Sequence, residues 1–205
     1  MEASTVRMCR VPAGPFLFGL RNVSIDLQEF WIDRHPVTNE EFAAWRPEHR
    51  FSPHRANHPA TWVRWEDALG YAASRGLTLP TVEQWEKAAR GTDGRLYPWG
   101  DEYDPRRFNT YESDLRQTSA VDRYDGPGES PYGICDLAGN VWEWTLTRET
   151  EGPRAGLVIA CGGSFEFGWF ELQNGMASHG WFGPADGHPT VGFRCVTPTG
   201  ASPPT

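Results

Sequence analysis

The chain lacks long apolar runs and any excess of basic residues. Its 205 residues contain no stretch near the roughly 20 apolar residues that a membrane-spanning helix needs. Lys and Arg total 19 against 27 Asp and Glu, which gives a net charge of −8 at pH 7. Because nothing basic offsets this acidic field, the composition argues against a membrane partner and against nucleic acid.

Closely spaced cysteines are also missing. Cys9, Cys135, Cys161 and Cys195 show no CxxC pattern, so neither a zinc knuckle nor a dense disulfide framework is indicated, and we expect reduced thiols. Residues 1–10 lack the charged, apolar and small-residue succession of a signal peptide. This predicts a cytoplasmic protein, or one that belongs to a phage or other particle assembled there.

Turn-forming and aromatic residues are abundant instead. The chain has 22 Gly, 17 Pro and 13% aromatic residues, which is typical of a compact, loop-rich fold with many aromatic anchors. Its length predicts a single domain, which we place at residues 1–196. The polar run 197–205 is predicted to be a flexible tail.

Three short segments have helical patterns. Thr38 and Thr81 are each followed three positions later by Glu or Gln, the pattern of a capping box. They predict one helix that ends before Pro47 and another that ends at Gly91, with a third helix over 65–75. After these helices the apolar pieces are brief, and only 159–165 and 191–196 look like strands in a mostly irregular half. The expected class is α+β.

Seven sequence blocks stand out along the chain. They are VPAGPF (11–16), PVTN (36–39), LPT with EQWE (79–81 and 83–86), YPWGD (97–101), GICDLAGNVWEW (133–144), GGS (162–164) and GFR (192–194). In this order they resemble the signature blocks of the formylglycine-generating-enzyme, or sulfatase-modifying-factor, superfamily. The resemblance covers about residues 10–196 and implies a C-type-lectin-like fold.

The resemblance does not extend to the catalytic thiols. Oxidases of that superfamily bind copper through two cysteines that lie five residues apart, just after the Gly-Gly-Ser block. The corresponding positions here are Phe167 and Leu172, which supply no thiolate. We therefore predict no catalytic residues and no redox metal at this place, since a fold does not carry an activity with it.

The resemblance also implies structural calcium. One site would use the side chains of Asp136 and Glu143 with the carbonyls of Gly139 and Val141, and carboxylates are hard ligands that suit Ca²⁺. The other site matches the side chain of Asn109, the Thr110 carbonyl and an acid that is either Asp114 or Glu112. The alternative for Asp136 and Glu143 is that they accept hydrogen bonds from loop amides without a metal.

The segment between the Gly-Gly-Ser and Gly-Phe-Arg blocks has its own character. Residues 165–191 contain no Arg or Lys but several aromatic residues. A segment of this kind between two intact signature blocks resembles that of the variable proteins of diversity-generating retroelements, which diversify this region of the same scaffold. We predict a non-catalytic module that binds a protein or other macromolecule, because aromatic side chains on a rigid frame give large contact area at little cost in rotamer entropy. The candidate contact residues are Glu166, Phe167, Trp169, Phe170, Glu171, Gln173, Asn174, His179, Trp181 and Phe182.

Other arrangements stay open. His179 and His188 with Glu166, Glu171 or Asp186 would suit non-haem iron, which makes a metal-dependent oxidoreductase the alternative function. His54 and His58 have HxxxH spacing, but the adjacent prolines disfavour the helix that a shared zinc would need. His35 precedes a proline at a helix entry and is predicted to be structural. Some of the aromatic residues would fill the core rather than contact a ligand.

Overall fold

The computed structural model describes residues 7–168 and 175–202 of the chain. Its strands and helices are, in chain order, β1 (Met8–Val11), β2 (Gly14–Phe18), β3 (Val23–Leu27), β4 (Phe30–Asp33), α1 (Asn39–Trp45), α2 (Trp65–Ser74), α3 (Val82–Arg90), β5 (Trp142–Arg148), β6 (Val158–Cys161), β7 (His179–Phe182) and β8 (Val191–Gly192). Short single turns of 3₁₀ helix occur in the loops. The elements form the α+β arrangement that was predicted.

The strands form three small sheets. β1 pairs with β4, β2 pairs with β3, and the largest sheet has the order β7-β6-β5-β8. Within this sheet β6 is antiparallel to both β5 and β7, whereas β8 runs parallel to β5. Because β6 and β8 lie on either side of β5, the sheet fixes both ends of the segment between them.

The predicted helix starts are present. Thr38 Oγ1 accepts a hydrogen bond from the Glu41 amide at 3.3 Å, and the Glu41 carboxylate accepts one from the Thr38 amide at 2.9 Å. Thr81 and Gln84 repeat this exchange at α3. Each box satisfies two amides that the first helical turn leaves without a partner. Local chemistry therefore sets where α1 and α3 begin.

The irregular half contains more strand than its sequence indicated. β5 and β7 were not predicted as strands, and only the first two residues of 191–196 belong to β8. Val196 instead forms isolated bridges with Ile32 and Thr78. The next residue, Thr197, is buried and donates its amide to the Trp31 carbonyl at 2.8 Å.

The core lies on both faces of the β6–β5 pair. Trp144 and Ala160 face one apolar cluster, which includes Tyr71 of α2 and Phe193. Cys161 faces the other cluster, with Trp85 of α3. This alternation follows the period of two of a strand and leaves both faces of the central strands buried. Among the described residues, no helix is long and apolar enough to cross a membrane.

Candidate functional site

The start of segment 165–190 is held against the loop that precedes β5. The amide of Phe165 donates to the Asn140 carbonyl at 3.1 Å, and the amide of Glu166 donates to Ser164 Oγ at 3.3 Å. Gly162 has a φ of +102°, and a Cβ there would lie 3.1 Å from the Trp85 ring. The Gly-Gly-Ser block therefore allows a close approach of the backbone to α3.

A buried ion pair connects the GICDLAGNVWEW block with the Gly-Phe-Arg block. The Arg194 guanidinium donates to Glu143 through Nη2 at 2.6 Å and Nε at 2.7 Å, and both side chains are fully buried. Its remaining donors reach the carbonyls of Asp33, Arg34 and Cys135. Burial opposes the charge of Arg194, but the Glu143 carboxylate more than offsets this, so the pKa of Arg194 is raised. The Arg of Gly-Phe-Arg thus fixes β8 against three other segments.

At the first predicted calcium site, both oxygens of one carboxylate accept hydrogen bonds from the protein, whereas the other carboxylate has an oxygen without a partner among the described residues. Both oxygens of Glu143 accept from Arg194, and Oε2 also accepts from Trp85 Nε1 at 2.7 Å. Asp136 Oδ2 accepts from Asn140 Nδ2 at 2.9 Å, whereas Oδ1 is buried without a hydrogen-bond partner in the described structure. Burial raises the pKa of Asp136 to about 8. An unpartnered buried carboxylate oxygen is a position that a cation would satisfy.

At the second predicted calcium site, the candidate ligand side chains already form hydrogen bonds or ion pairs with other protein groups. Asn109 Oδ1 accepts from Ser113 Oγ at 2.9 Å, and the same hydroxyl contacts the Thr110 carbonyl at 2.7 Å. The Asp114 side chain is 82% exposed and pairs with Arg116, while Glu112 accepts from Tyr103 at 2.7 Å. Calcium at either place stays a prediction.

Phe167, which the sequence resemblance predicts to take the place of an oxidase thiol, faces inward. Its ring lies edge-on to Trp142 with centroids 5.2 Å apart, and it packs against both core clusters. Its carbonyl accepts from the Tyr111 amide at 3.1 Å, while the preceding Glu166 is exposed. An aromatic ring therefore fills the space beside Trp142.

Trp181 and Phe182 point to opposite faces of β7 and are each half-buried. Trp181 Nε1 donates to Glu149 at 2.9 Å, and the Arg154 guanidinium lies 3.6 Å from the centroid of its ring. Phe182 packs on Trp144 with ring centroids 5.9 Å apart. The two rings are thus held by the neighbouring β5–β6 structure, and each leaves part of its surface accessible.

The two histidines of the segment lie on different sides of β7. His179 faces Trp181, with ring centroids 6.4 Å apart, whereas His188 faces Phe182 at 5.3 Å. His179 Nε2 is buried without a hydrogen-bond partner in the described part of the chain, and burial lowers the pKa of His179. Within 7–168 and 175–202, the two imidazoles do not come together with a carboxylate in a metal-binding group.

Five of the predicted contact residues and one oxidase position lie outside the described residues. They are Trp169, Phe170, Glu171, Gln173, Asn174 and Leu172. Of the weaker candidates, His54 contacts Ser52 and His58 contacts Thr118, each at 3.0 Å, so the HxxxH pair does not converge. All four cysteines are buried and free.

Trp62 is an exposed aromatic residue that sequence reasoning did not single out. Its side chain is 67% exposed, and its amide donates to the His188 carbonyl at 3.0 Å. Its φ is +59°, and Gly187 packs directly on its backbone. No periodicity marks this residue, because its orientation follows from the left-handed backbone conformation. It extends the aromatic surface of the segment.

Comparison with known proteins decides the family. A family model described as a sulfatase-modifying factor enzyme 1-like domain matches residues 1–199. The chain belongs to the FGE-sulfatase family. The resemblance drawn from the seven sequence blocks is thereby confirmed.

Relatives of this FGE-sulfatase domain include proteins named as enzymes and others named as inactive. The inactive C-alpha-formylglycine-generating enzyme 2 of Bos taurus is 35% identical over 161 residues, which cover 71% of this chain and 52% of that protein. The formylglycine-generating enzyme of Thermomonospora curvata is 42% identical over 138 residues, which cover 54% of this chain and 46% of that protein. The chain thus spans about half the length of these curated relatives.

The fold also matches solved structures. Treponema denticola variable protein 1 superposes with a TM-score of 0.79 at 17% identity, over 93% of this chain and 94% of that chain. At this identity the likeness shows the fold alone. It confirms the C-type-lectin-like α+β fold for the FGE-sulfatase domain.

Proposed function

We propose that this FGE-sulfatase domain is a non-catalytic binding module whose ligand contacts the surface formed by residues 165–190 and Trp62. The observation that carries the proposal is Phe167, whose ring packs on Trp142 where the superfamily's oxidases place a thiol. A phenyl ring supplies neither a thiolate for copper nor space for one. A relative named as inactive supports the idea that the domain is used without the activity.

The aromatic residues of this surface suit recognition of a macromolecule. Trp181 is held in one orientation by Glu149 and Arg154, so little rotamer entropy remains to be lost on binding. Trp62 offers a large exposed ring beside another point of the segment, where its backbone contacts Gly187 and His188. Aromatic anchors of this kind carry most of the energy in protein interfaces. The absence of Lys and Arg from 165–191 disfavours anionic ligands and favours a protein with a neutral or basic surface.

The surface is proposed to be diversified, as in the variable proteins of retroelements. Support comes from the scaffold around the segment, because the side-chain hydrogen bonds of Arg194, Glu143 and Asn140 in the described residues all go to groups outside 165–190. Changes inside the segment would therefore leave the frame in place. A reverse-transcriptase gene beside the coding sequence, with a template repeat that differs from codons 165–190 at adenines, is expected. A genomic neighbourhood without such a repeat would contradict diversification.

Binding can be tested with peptides selected against the whole chain from a displayed random library. Purified binders are then titrated calorimetrically against Trp62→Ala and Trp181→Ala. Loss of an aromatic anchor is expected to weaken binding by about 2 kcal/mol, which is roughly 30-fold. Leu20→Ala is the matched control, since Leu20 is 63% exposed on the β2–β3 hairpin, outside the segment. Binding that is lost only with Leu20→Ala, or with none of the three, would contradict the assignment.

The oxidoreductase alternative is tested by metal content and oxygen use. The purified chain is expected to contain no stoichiometric iron or copper, and to consume no oxygen with a cysteine-containing peptide after either metal is added. Stoichiometric copper or iron together with oxygen uptake would overturn the proposal of a non-catalytic module.

We also propose calcium at the loop before β5, held by Asp136 Oδ1 and the carbonyls of Gly139 and Val141. The unpartnered Asp136 oxygen supports this ligand set, while Glu143 remains paired with Arg194. Calcium bound there would add its binding free energy to folding. The melting temperature is therefore expected to fall when EGTA is added, and Asp136→Asn is expected to abolish the difference. Equal melting with calcium and with EGTA would contradict the site.

A further inference from the structure

Three potential metal ligands from separate segments meet where β4 leads into α1. His35 precedes α1, Asp125 lies in the long loop after α3, and Cys135 lies in the GICDLAGNVWEW block. His35 Nε2 is 2.8 Å from Asp125 Oδ1, and the donor atoms of all three side chains lie within 4.8 Å of one another. A thiol, an imidazole and a carboxylate are thus brought to one point.

We propose that His35, Asp125 and Cys135 form a zinc-binding site. Zn²⁺ is bound by Cys sulfur at about 2.3 Å and by His nitrogen or carboxylate oxygen at about 2.0–2.2 Å, so tetrahedral ligands lie roughly 3.3–3.8 Å apart. The 2.8 Å between His35 Nε2 and Asp125 Oδ1 is shorter than this spacing, and the donor atoms of all three side chains lie within 4.8 Å of one another, so side-chain rotations would have to adjust both distances to seat the ion. The mixed S, N and O donor set suits zinc better than calcium or magnesium, which prefer oxygen.

The surrounding groups hold the ligands in a metal-binding orientation. Arg34 Nη2 lies 3.2 Å from Asp125 Oδ2, so the guanidinium holds one oxygen and leaves Oδ1 directed at His35. Arg34 also binds Glu129 at 2.7 Å, and Glu129 Oε1 is 3.9 Å from Cys135 Sγ. Groups that orient ligands in this way are typical of the outer sphere of metal sites.

The charges also balance when zinc is bound. Asp125, Glu129 and the Cys135 thiolate would carry three negative charges, while Arg34 and Zn²⁺ would carry three positive charges. Without the metal, the same pocket holds a thiol beside two carboxylates and one guanidinium. The arginine therefore offsets one acid and leaves two negative charges for the ion, which is the balance that a divalent cation prefers.

The backbone fixes the two halves of the site relative to each other. The Cys135 amide donates to the Arg34 carbonyl at 2.9 Å, so the residues on either side of the proposed ion are already joined. His35 also lines a cavity of about 290 Å³, whose other charged residues are Asp33, Glu40, Glu41 and Arg7. Acidic residues outnumber basic ones in this lining, which gives a cation a favourable path to the imidazole.

The site can be tested by titrating the metal-free full-length chain with Co²⁺ as a spectroscopic probe for Zn²⁺. One cobalt per chain is expected, with a thiolate-to-cobalt charge-transfer absorption that one equivalent of Zn²⁺ removes. Cys135→Ser should abolish the absorption. His35→Gln and Asp125→Asn should each weaken zinc binding at least about tenfold.

Two controls make the test specific. Cys9→Ser removes a nearby buried thiol whose Sγ contacts the Gly133 carbonyl at 3.5 Å, and His54→Gln removes an imidazole outside the cluster. Both should leave cobalt and zinc binding unchanged. If Cys135→Ser does not fold, as judged by near-ultraviolet circular dichroism, the result rests on His35→Gln and Asp125→Asn, whose side chains are partly exposed.

Several outcomes would overturn the zinc site. They are cobalt binding without a thiolate absorption, an absorption that survives Cys135→Ser or disappears with Cys9→Ser, and zinc affinity that is the same in His35→Gln as in the parent. A folded parent chain that binds no zinc would overturn it as well. None of these outcomes depends on whether residues 165–190 bind a macromolecule, so this inference and the proposed function fail separately.

Discussion

Replacing Glu143 by Gln tests the buried ion pair that connects β5 to β8. The substitution keeps the shape of the side chain but leaves Arg194, which is fully buried, without a counter-charge. Breaking one partner of a buried pair costs about 3–5 kcal/mol, because the remaining charge is no longer compensated. For a chain of this size the loss should lower the melting temperature by roughly 10 °C.

The assay is urea unfolding followed by tryptophan fluorescence, with the parent and Glu143→Gln measured side by side. Glu29→Gln is the control, because its pair with Arg10 has the same 2.6 Å separation but both side chains are largely exposed. An exposed pair contributes less than about 1 kcal/mol. A loss below about 1 kcal/mol in Glu143→Gln would refute the reasoning, since a fully buried guanidinium would then not need its carboxylate.

The same measurement in EGTA separates the ion pair from the calcium prediction. If Glu143 acts through Arg194, its substitution should cost the same free energy of unfolding with calcium and with EGTA. If Glu143 is a calcium ligand, most of the cost should disappear in EGTA.

Should Glu143→Gln not fold at all, Trp85→Phe provides an alternative test of the same contact. It removes the indole N–H that donates to Glu143 at 2.7 Å, a hydrogen bond to a charged group that contributes about 1.5–3 kcal/mol, and it also leaves a small cavity because the phenyl ring is smaller than the fully buried indole.

Two further perturbations follow from buried groups. Burial raises the pKa of Asp33 from its ordinary value of 3.8 to about 6. The folded state therefore favours the neutral carboxyl, so its contribution to stability is fully present below about pH 4 and is lost as the pH rises through about 6. Unfolding curves at pH 4 and pH 7 should show that Asp33→Asn removes about 3 kcal/mol of this pH dependence; parallel curves for parent and variant would refute it. Gly139→Ala would place a Cβ 2.2 Å from the Asn109 carbonyl and should lower the free energy of unfolding more than Gly76→Ala does, because Gly76 also has a positive φ but has open space around it. Equal losses in urea unfolding would contradict the contact.

The elements that depend on local chemistry could be predicted from sequence. Thr38 and Thr81 each cap a helix through a residue three positions away, so the relevant partners are adjacent in the chain. β5 was harder, because Glu143 interrupts its apolar residues. A charged residue suggests one solvent-facing side, whereas the strand is central and Glu143 is neutralised by Arg194, 51 positions later. No pattern in the residues next to Glu143 identifies Arg194 as its partner.

The candidate sites show the same limit. The Phe167 position followed from the count after the Gly-Gly-Ser block, but its packing on Trp142 required the fold. His35 was predicted to be structural because it precedes a proline at a helix entry. Its approach to Asp125 and Cys135, about 90 and 100 positions further along the chain, is visible only in the fold. Spacing rules find ligands within a turn or a hairpin, and not those that meet through loops.

The residues of the signature blocks mainly stabilise the scaffold of the domain, which we call the frame. Four residues of the signature blocks make buried hydrogen bonds to one another or to neighbouring loops: Glu143, Arg194, Asn140 and Trp85. Such contacts depend on the fold and not on what the domain binds, so they indicate the family without indicating an activity. The exposed ring of Trp62 and the half-buried ring of Trp181 lie beside and within the segment between the last two signature blocks. If this division holds, substitutions in the frame should change stability and leave ligand preference intact, whereas substitutions at the rings should do the reverse. A frame variant that stays folded but binds a different peptide would show that the two roles are not separate.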